Sequence, residues 1–188
     1  MTARTLSNVI GFDDSPFPYE HRGDVRLVGA VCARTRLDGV VSGWVRRDGA
    51  NSTDRMVELV RATRFGEHIQ AILMQGIAVA GFNVVDLARL HRETAIPVLV
   101  VTRRRPRMEL VRAALARTPG GTEKWALIEQ AGALERLGAL WVQRVGLTTS
   151  EAAALLRATT SHGNIPEPLR LAHIIAGGVE RGASRGRA

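Results

Sequence analysis

The chain of 188 residues has one cysteine, one lysine, no aspartate beyond position 86 and no apolar run long enough to cross a membrane. Each shortage removes a class of protein. A lone Cys32, set in an apolar run, excludes a disulfide framework and any cysteine metal cluster, and reads as buried filler. Without an apolar run of roughly 18 residues there is no membrane-spanning helix, and the opening MTARTLSNVIGF lacks the apolar core of a signal peptide, so a cytoplasmic protein is expected. No internal repeat, zinc spacing, P-loop or serine-nucleophile motif is present. His21, His68, His91 and His162 have no metal-ligand spacing and read as surface or boundary residues.

The charge is present but uneven. Of 26 basic residues 25 are arginine and the net charge is +8. Residues 1–94 carry 12 Lys+Arg against 11 Asp+Glu, whereas residues 95–188 carry 14 against 7. All seven aspartates lie in the first half, so acidic chemistry and basic attraction occupy different stretches. A basic excess of this size favours a polyanionic partner such as nucleic acid; a GC-biased genome that turns lysine into arginine is the competing explanation.

The chain is organised around Ile69 to Arg105. Two β-branched, nearly uncharged runs, Ile69–Met74 and Pro97–Thr102, flank a segment with helical spacing at Val84, Leu87, Ala88 and His91. Continuous apolar runs of this length predict strands buried on both faces, and a helix between them predicts a βαβ crossover. Ligands of such sheets sit beyond the carboxyl ends of the strands. Those ends are Gln75-Gly76 and Arg103-Arg104-Arg105.

Before this unit come three shorter runs, Ser7–Phe12, Val25–Arg34 and Val40–Val45. The Asp38-Gly39 pair predicts the hairpin turn between the second and third. The first ends in Asp13-Asp14-Ser15-Pro16, which is either a turn or a metal-binding carboxylate held on a central strand. The third runs into Asp48-Gly49, and Asn51-Ser52-Thr53 offers N-cap chemistry for a helix with Met56, Leu59, Val60 and Thr63 on one side. Asp48 reads as a turn residue or a second acidic group. Asp54 suits a first helical turn through the macrodipole alone, and Glu58 lies one turn further along the same side.

After the crossover, Arg103, Arg104, Arg105 and Arg107 fall between a strand end and a helix beginning at Met108. Guanidinium forks and helix N-terminal amides both suit phosphate; a solvated loop is the alternative. Thr122 caps a short helix through Gln130, a strand covers Ala139–Val145, and Thr148 with Glu151 has capping-box spacing. Pro168 suits the first turn of a last helix, on which Arg170 and His173 share a side, read as an arginine tying the helix to the sheet edge. Residues 1–180 are expected as one domain, with a disordered Gly/Ser/Arg-rich tail at 181–188.

This order, with carboxylates after strands one and three, is that of a ribonuclease H-like α/β fold: a mixed sheet of about five strands, three antiparallel and then βαβ, flanked by helices. GFDDSPF, DGANSTD, QGIAVAGFNVVDLARL, IPVLVVTRR and GNIPEPLRLAHIIAGG resemble, over nearly the whole chain, the endonuclease dU family, itself similar to endonuclease V. The resemblance implies Mg²⁺- or Mn²⁺-dependent cutting of DNA near a deaminated base, deoxyuridine for this family. It implies Asp13 as the strand-one metal ligand, with Asp14 beside it, Asp48 or Asp54 as the second acidic residue, and Arg103 where the relative has a lysine. Two positions depart from the endonuclease V pattern. Gln75 stands where that family has an aspartate, and Leu147 where it has a histidine. A neutral amide binds a hard cation weakly, so a two-metal clamp would be short of a charge.

Overall fold

A computed structural model of the chain describes residues 6–184. At its centre lies a seven-stranded sheet in the order β3-β2-β1-β4-β7-β9-β8. The strands are β1 (Asn8–Asp14), β2 (Asp24–Ala33), β3 (Arg36–Arg46), β4 (Ala71–Gln75), β7 (Val98–Thr102), β8 (Glu135–Leu137) and β9 (Leu140–Val145). Two residues each from β5 (Ala78–Val79) and β6 (Asn83–Val84) make a separate small hairpin. β1, β4 and β7 are mutually parallel, β2 is antiparallel to β1, and β3 is antiparallel to β2. The carboxyl ends of β1, β3, β4 and β7 therefore share one edge.

Side chains alternate across the sheet, and each face has its own core. Ile10 and Phe12 of β1 with Ile72 and Met74 of β4 point toward α1 (Ser52–Ala62) and α2 (Leu87–Thr94), where Met56, Val60 and Leu90 meet them. Val9 of β1 with Ala71 and Leu73 of β4 point the other way, toward α5 (Thr149–Thr159) and α6 (Glu167–Arg181), where Leu155, Leu169 and Ala172 close the layer. Burying each of the larger side chains contributes about 1.5–3 kcal/mol, enough to fix the register in which Asp13 leaves the core. Cys32 is buried in the second layer, as its apolar setting predicts. α3 (Met108–Leu115) and α4 (Gly121–Gln130) pack through Leu115 and Ile128 onto Val84.

Several elements differ from the sequence expectation. The sheet has seven strands rather than about five: the strand expected at Ala139–Val145 joins it as β9, and the edge strand β8 carries too few residues to register as a periodic run. The β2–β3 turn is Arg34-Thr35, with Ala33 paired to Arg36 and Arg34 at φ 56°. Asp38-Gly39 instead lies inside β3 at a bulge, where Val31 faces Gly39 and Cys32 faces Leu37, so Asp38 is the extra residue. Asp-Gly suits a bulge as well as a turn, and the Phe65 ring fills the space a Cβ at Gly39 would need. Val84, counted with the helix by its spacing, is a strand residue, and α2 begins at Leu87 behind an N-cap by Asp86. Gly120, in the left-handed region at φ 67°, precedes α4 in place of a Thr122 cap. The Thr148–Glu151 capping box is formed as expected. Arg181 belongs to α6, and residues 185–188 of the expected tail lie outside the described residues.

Candidate active site

The shared carboxyl edge brings together Asp13-Asp14 from β1, Arg47-Asp48 after β3, Gln75-Gly76 from β4 and Arg103 after β7. Asp13 is anchored by two contacts. Its Oδ1 accepts from the Asp14 amide at 3.0 Å, and its Oδ2 lies 2.8 Å from Nδ1 of His173 on α6. The helix reaches this position because β1 carries glycine at position 11. A Cβ there would stand 2.5 Å from the backbone carbon of Pro168, so only glycine lets the first turn of α6 settle on the strand. Further along, the Ser15 hydroxyl donates to the Ala176 carbonyl at 3.2 Å and holds the helix to the same strand end.

Burial pushes the Asp13 carboxyl above its ordinary range, and the hydrogen bond and charge of His173 pull it back. Asp14 is pushed up to about 7, first by burial and then by the charge of Asp13, against the Ala80 backbone amide. Asp13 and Asp14, both partly buried, resist ionising together, and a proton or a nearby cation relieves that cost.

Gln75 supplies the third group. β1 and β4 run parallel with Phe12 beside Met74, so the next residues along, Asp13 and Gln75, sit side by side on the α6 face. The Gln75 Oε1 is buried and, among the described residues, finds no hydrogen-bond donor. A buried acceptor left unpaired costs about 1–3 kcal/mol unless something fills it. Among the described residues no three His, Cys, Asp or Glu side chains form a metal-holding group. A hard cation would therefore draw on Asp13, the Gln75 oxygen, water and substrate phosphate, a donor set that suits Mg²⁺, which keeps several waters and takes few carboxylates. Leu147 is buried in the α5–α6 layer and packs as an apolar residue.

Asp48 sits close by but is already occupied. Its Oδ1 accepts from the Phe82 amide at 2.8 Å, its Oδ2 pairs with Arg47 Nε at 3.2 Å, and its carbonyl accepts from the buried Lys124 ammonium. Its amide donates to the Ala80 carbonyl at 2.9 Å, and the Ala80 amide in turn acts on Asp14. Asp48 and Ala80 both have positive φ, 51° and 48°, which non-glycine residues adopt at a cost of about 1–3 kcal/mol, sustained here by these contacts. Asp54 lies in the first turn of α1 and pairs with Arg89 of α2, which also holds Glu93. Glu58 pairs with Arg55 on its own helix. The structure thus joins Asp13 with Asp14 and links Asp48 to them through the backbone of one residue, Ala80, while Asp54 and Glu58 are engaged elsewhere.

Arg103, Arg104, Arg105 and Arg107 are exposed, and among the described residues none has a carboxylate partner. Arg105 lies over the Trp141 ring at 5.4 Å and lines a cavity of about 360 Å³ at the ends of β4 and β7, with Gly76, Phe82, Thr102, Met108 and Gln143. The Thr102 Oγ1 is buried and, among the described residues, has no hydrogen-bond partner. Sequence spacing did not single out the role of His173. Arg170, expected to tie the helix to the sheet edge, pairs with Glu167 on its own helix at 2.6 Å, and the histidine three residues on makes the contact to the strand. The one available signal was a histidine on a helix that opens with a rigid Pro-Glu-Pro.

A family model described as endonuclease dU matches residues 6–180. A UPF0215 protein of Deinococcus radiodurans is 57% identical over 183 residues, covering 97% of this chain and 93% of that one. One from Methanothermobacter thermautotrophicus is 41% identical, covering 96% and 91%. Among solved structures, a protein of unknown function from Archaeoglobus fulgidus superposes with a TM-score of 0.87 at 36% identity, covering 92% of this chain and 98% of that one. Ciona intestinalis endonuclease V, in complex with DNA containing an inosine followed by a ribo-adenosine, gives 0.56 at 13% identity, covering 89% and 83%. The catalytic domain of human endonuclease V gives 0.59 at 20% identity, covering 91% and 81%. The fold is ribonuclease H-like, and the chain belongs to the endonuclease dU family.

Proposed function

We propose that the protein is a divalent-metal-dependent endonuclease that hydrolyses a DNA phosphodiester beside a deaminated base, deoxyuridine for preference, as a step in DNA repair. The observation that carries this reading is the Asp13–His173 contact next to the unpaired Gln75 oxygen, on the carboxyl edge of a ribonuclease H-like sheet. Asp13 and Gln75 would hold Mg²⁺ or Mn²⁺, with Asp14 in reserve on the same strand end. The ion supplies Lewis-acid stabilisation and an activated water when bound. His173, fixed through Nδ1 by Asp13, keeps Nε2 to move a proton at the attacking or leaving oxygen. Asp48 sets the β5–β6 hairpin against Asp14, and Asp54 fastens α1 to α2. The 360 Å³ cavity is of a size for an extruded base, with the unpaired Thr102 hydroxyl to meet its polar edge. Arg103, Arg104, Arg105 and Arg107 grip the backbone around it.

Oligonucleotides carrying uracil, hypoxanthine or neither, incubated with Mg²⁺ or Mn²⁺, test the proposal. Incision of the uracil strand, lost in chelator, is expected; no incision of any substrate with either metal would overturn it. The neutral Gln75 favours a second reading, a nucleic-acid-binding protein of the same fold without the chemistry. That reading gives metal-independent binding, no incision and no effect of Asp13→Asn.

A further inference from the structure

Arg26 stands apart from the other partly buried arginines. Among the described residues no carboxylate pairs with it, and its Nε is buried without a hydrogen-bond partner. The guanidinium instead lies 4.3 Å over the ring of Trp44, the residue directly across from it on β3, and Trp44 is 48% exposed. A tryptophan behind a guanidinium fixes its plane and leaves its remaining N–H groups directed outward.

The register puts this pair beside the candidate active site. Asp13 faces Val28 across the β1–β2 ladder, and Arg26 is two residues further toward the shared edge, so it emerges on the same α6 face as Asp13 and His173. The offset is about 7 Å along β2 and one strand spacing, about 5 Å, across it. On the far side of Asp13 stand β4, β7 and the arginines that follow Thr102. A nucleic-acid strand whose phosphate rests at Asp13 and whose one flank meets Arg103 leaves its other flank over Arg26.

We infer that Arg26, backed by Trp44, is a binding site for a backbone phosphate of the substrate strand, next to the phosphate held at Asp13. This deepens the reading of the edge as a nucleic-acid site and rests on it. Two parallel N–H groups meet two phosphate oxygens, which a lysine cannot reproduce, and Trp44 offers its open face to the adjoining sugar or base.

Binding of a labelled single-stranded, uracil-containing oligonucleotide in chelator, followed by fluorescence anisotropy across a salt series, tests it without any cleavage. Arg26→Gln is expected to weaken binding about tenfold or more and to flatten the plot of log affinity against log salt by about 0.7. Trp44→Ala gives part of the same loss, Trp44→Phe retains most of the affinity, and the Arg26→Gln/Trp44→Ala double variant is no worse than Arg26→Gln alone, because both act through one contact. Melting curves confirm that each variant is folded. An unchanged salt slope in Arg26→Gln overturns the inference, as do additive losses. A Trp44→Ala variant that changes sedimentation but not affinity also overturns it, since the face would then join two copies of the chain. Protein that binds with this Arg26 dependence but cuts nothing leaves the inference standing and removes the nuclease reading; wild-type protein that does not bind overturns both.

Discussion

Asp13 and His173 are 160 positions apart in the chain and 2.8 Å apart in space, and that distance explains what could be read beforehand. Asp13 was legible because it ends an apolar strand run, and a carboxylate there has a local signature. The histidine was not, because its role depends on where α6 lands, which the close contact of Gly11 with Pro168 and the Ser15–Ala176 hydrogen bond decide in the folded chain. Gln75 was legible as a departure from the family pattern, but its unpaired buried oxygen belongs to the packing around it. Two predictions follow at this scale. Asp13→Asn should abolish incision while leaving oligonucleotide affinity in chelator near wild type; loss of both together would mean that the change unfolds the edge. Gln75→Asp restores a second carboxylate beside Asp13 and should tighten Mn²⁺ binding by roughly tenfold or more, read by calorimetric titration. An unchanged Mn²⁺ affinity in that variant would place the cation elsewhere.

Strands and helices with sustained patterns were readable, as were the βαβ crossover and the Thr148–Glu151 capping box. Elements of two or three residues were not, since β5, β6 and β8 are too short for any period. The Asp38-Gly39 bulge was misread because bulge and turn use the same chemistry, and the Phe65 ring that selects between them arrives from a distant loop. The last helix offers the sharpest tests at the scale of an element. Gly11→Ala forces a Cβ into the first turn of α6 and should destabilise the fold by about 1–3 kcal/mol, with incision falling because His173 shifts; a wild-type melting curve would contradict the packing described. Glu167, buried at the same turn, has its pKa lowered chiefly by the Arg170 hydrogen bond, with Ser161 assisting and burial opposing. A carboxylate with a depressed folded pKa stabilises fully above its unfolded value, ordinarily 4.5, and loses that contribution as pH falls through the lowered one. Glu167→Gln should therefore lower the melting temperature at neutral pH, and the gap should close well below pH 4.5. A gap independent of pH would assign the effect to packing alone.

For the whole molecule, the asymmetry of charge was plain in the sequence, with 14 basic residues against 7 acidic ones after position 94, but composition does not say which arginines are free. In the first half the arginines are largely used internally: Arg89 ties two helices and Arg47 holds Asp48. The four after β7 are left exposed at the functional edge. If they neutralise phosphates, replacing Arg104 and Arg105 with alanine should flatten the salt dependence of duplex binding by up to about 2, equally for uracil-containing and ordinary DNA. An unchanged slope would make them a solvated loop.

A crystal of the protein soaked in Mn²⁺ tests the nuclease reading most directly, because that reading depends on a cation at the end of β1. An anomalous peak touching the Asp13 carboxylate and the Gln75 oxygen, absent from Asp13→Asn crystals, is the expected result. Manganese bound away from Asp13, or equally in both crystals, would contradict it.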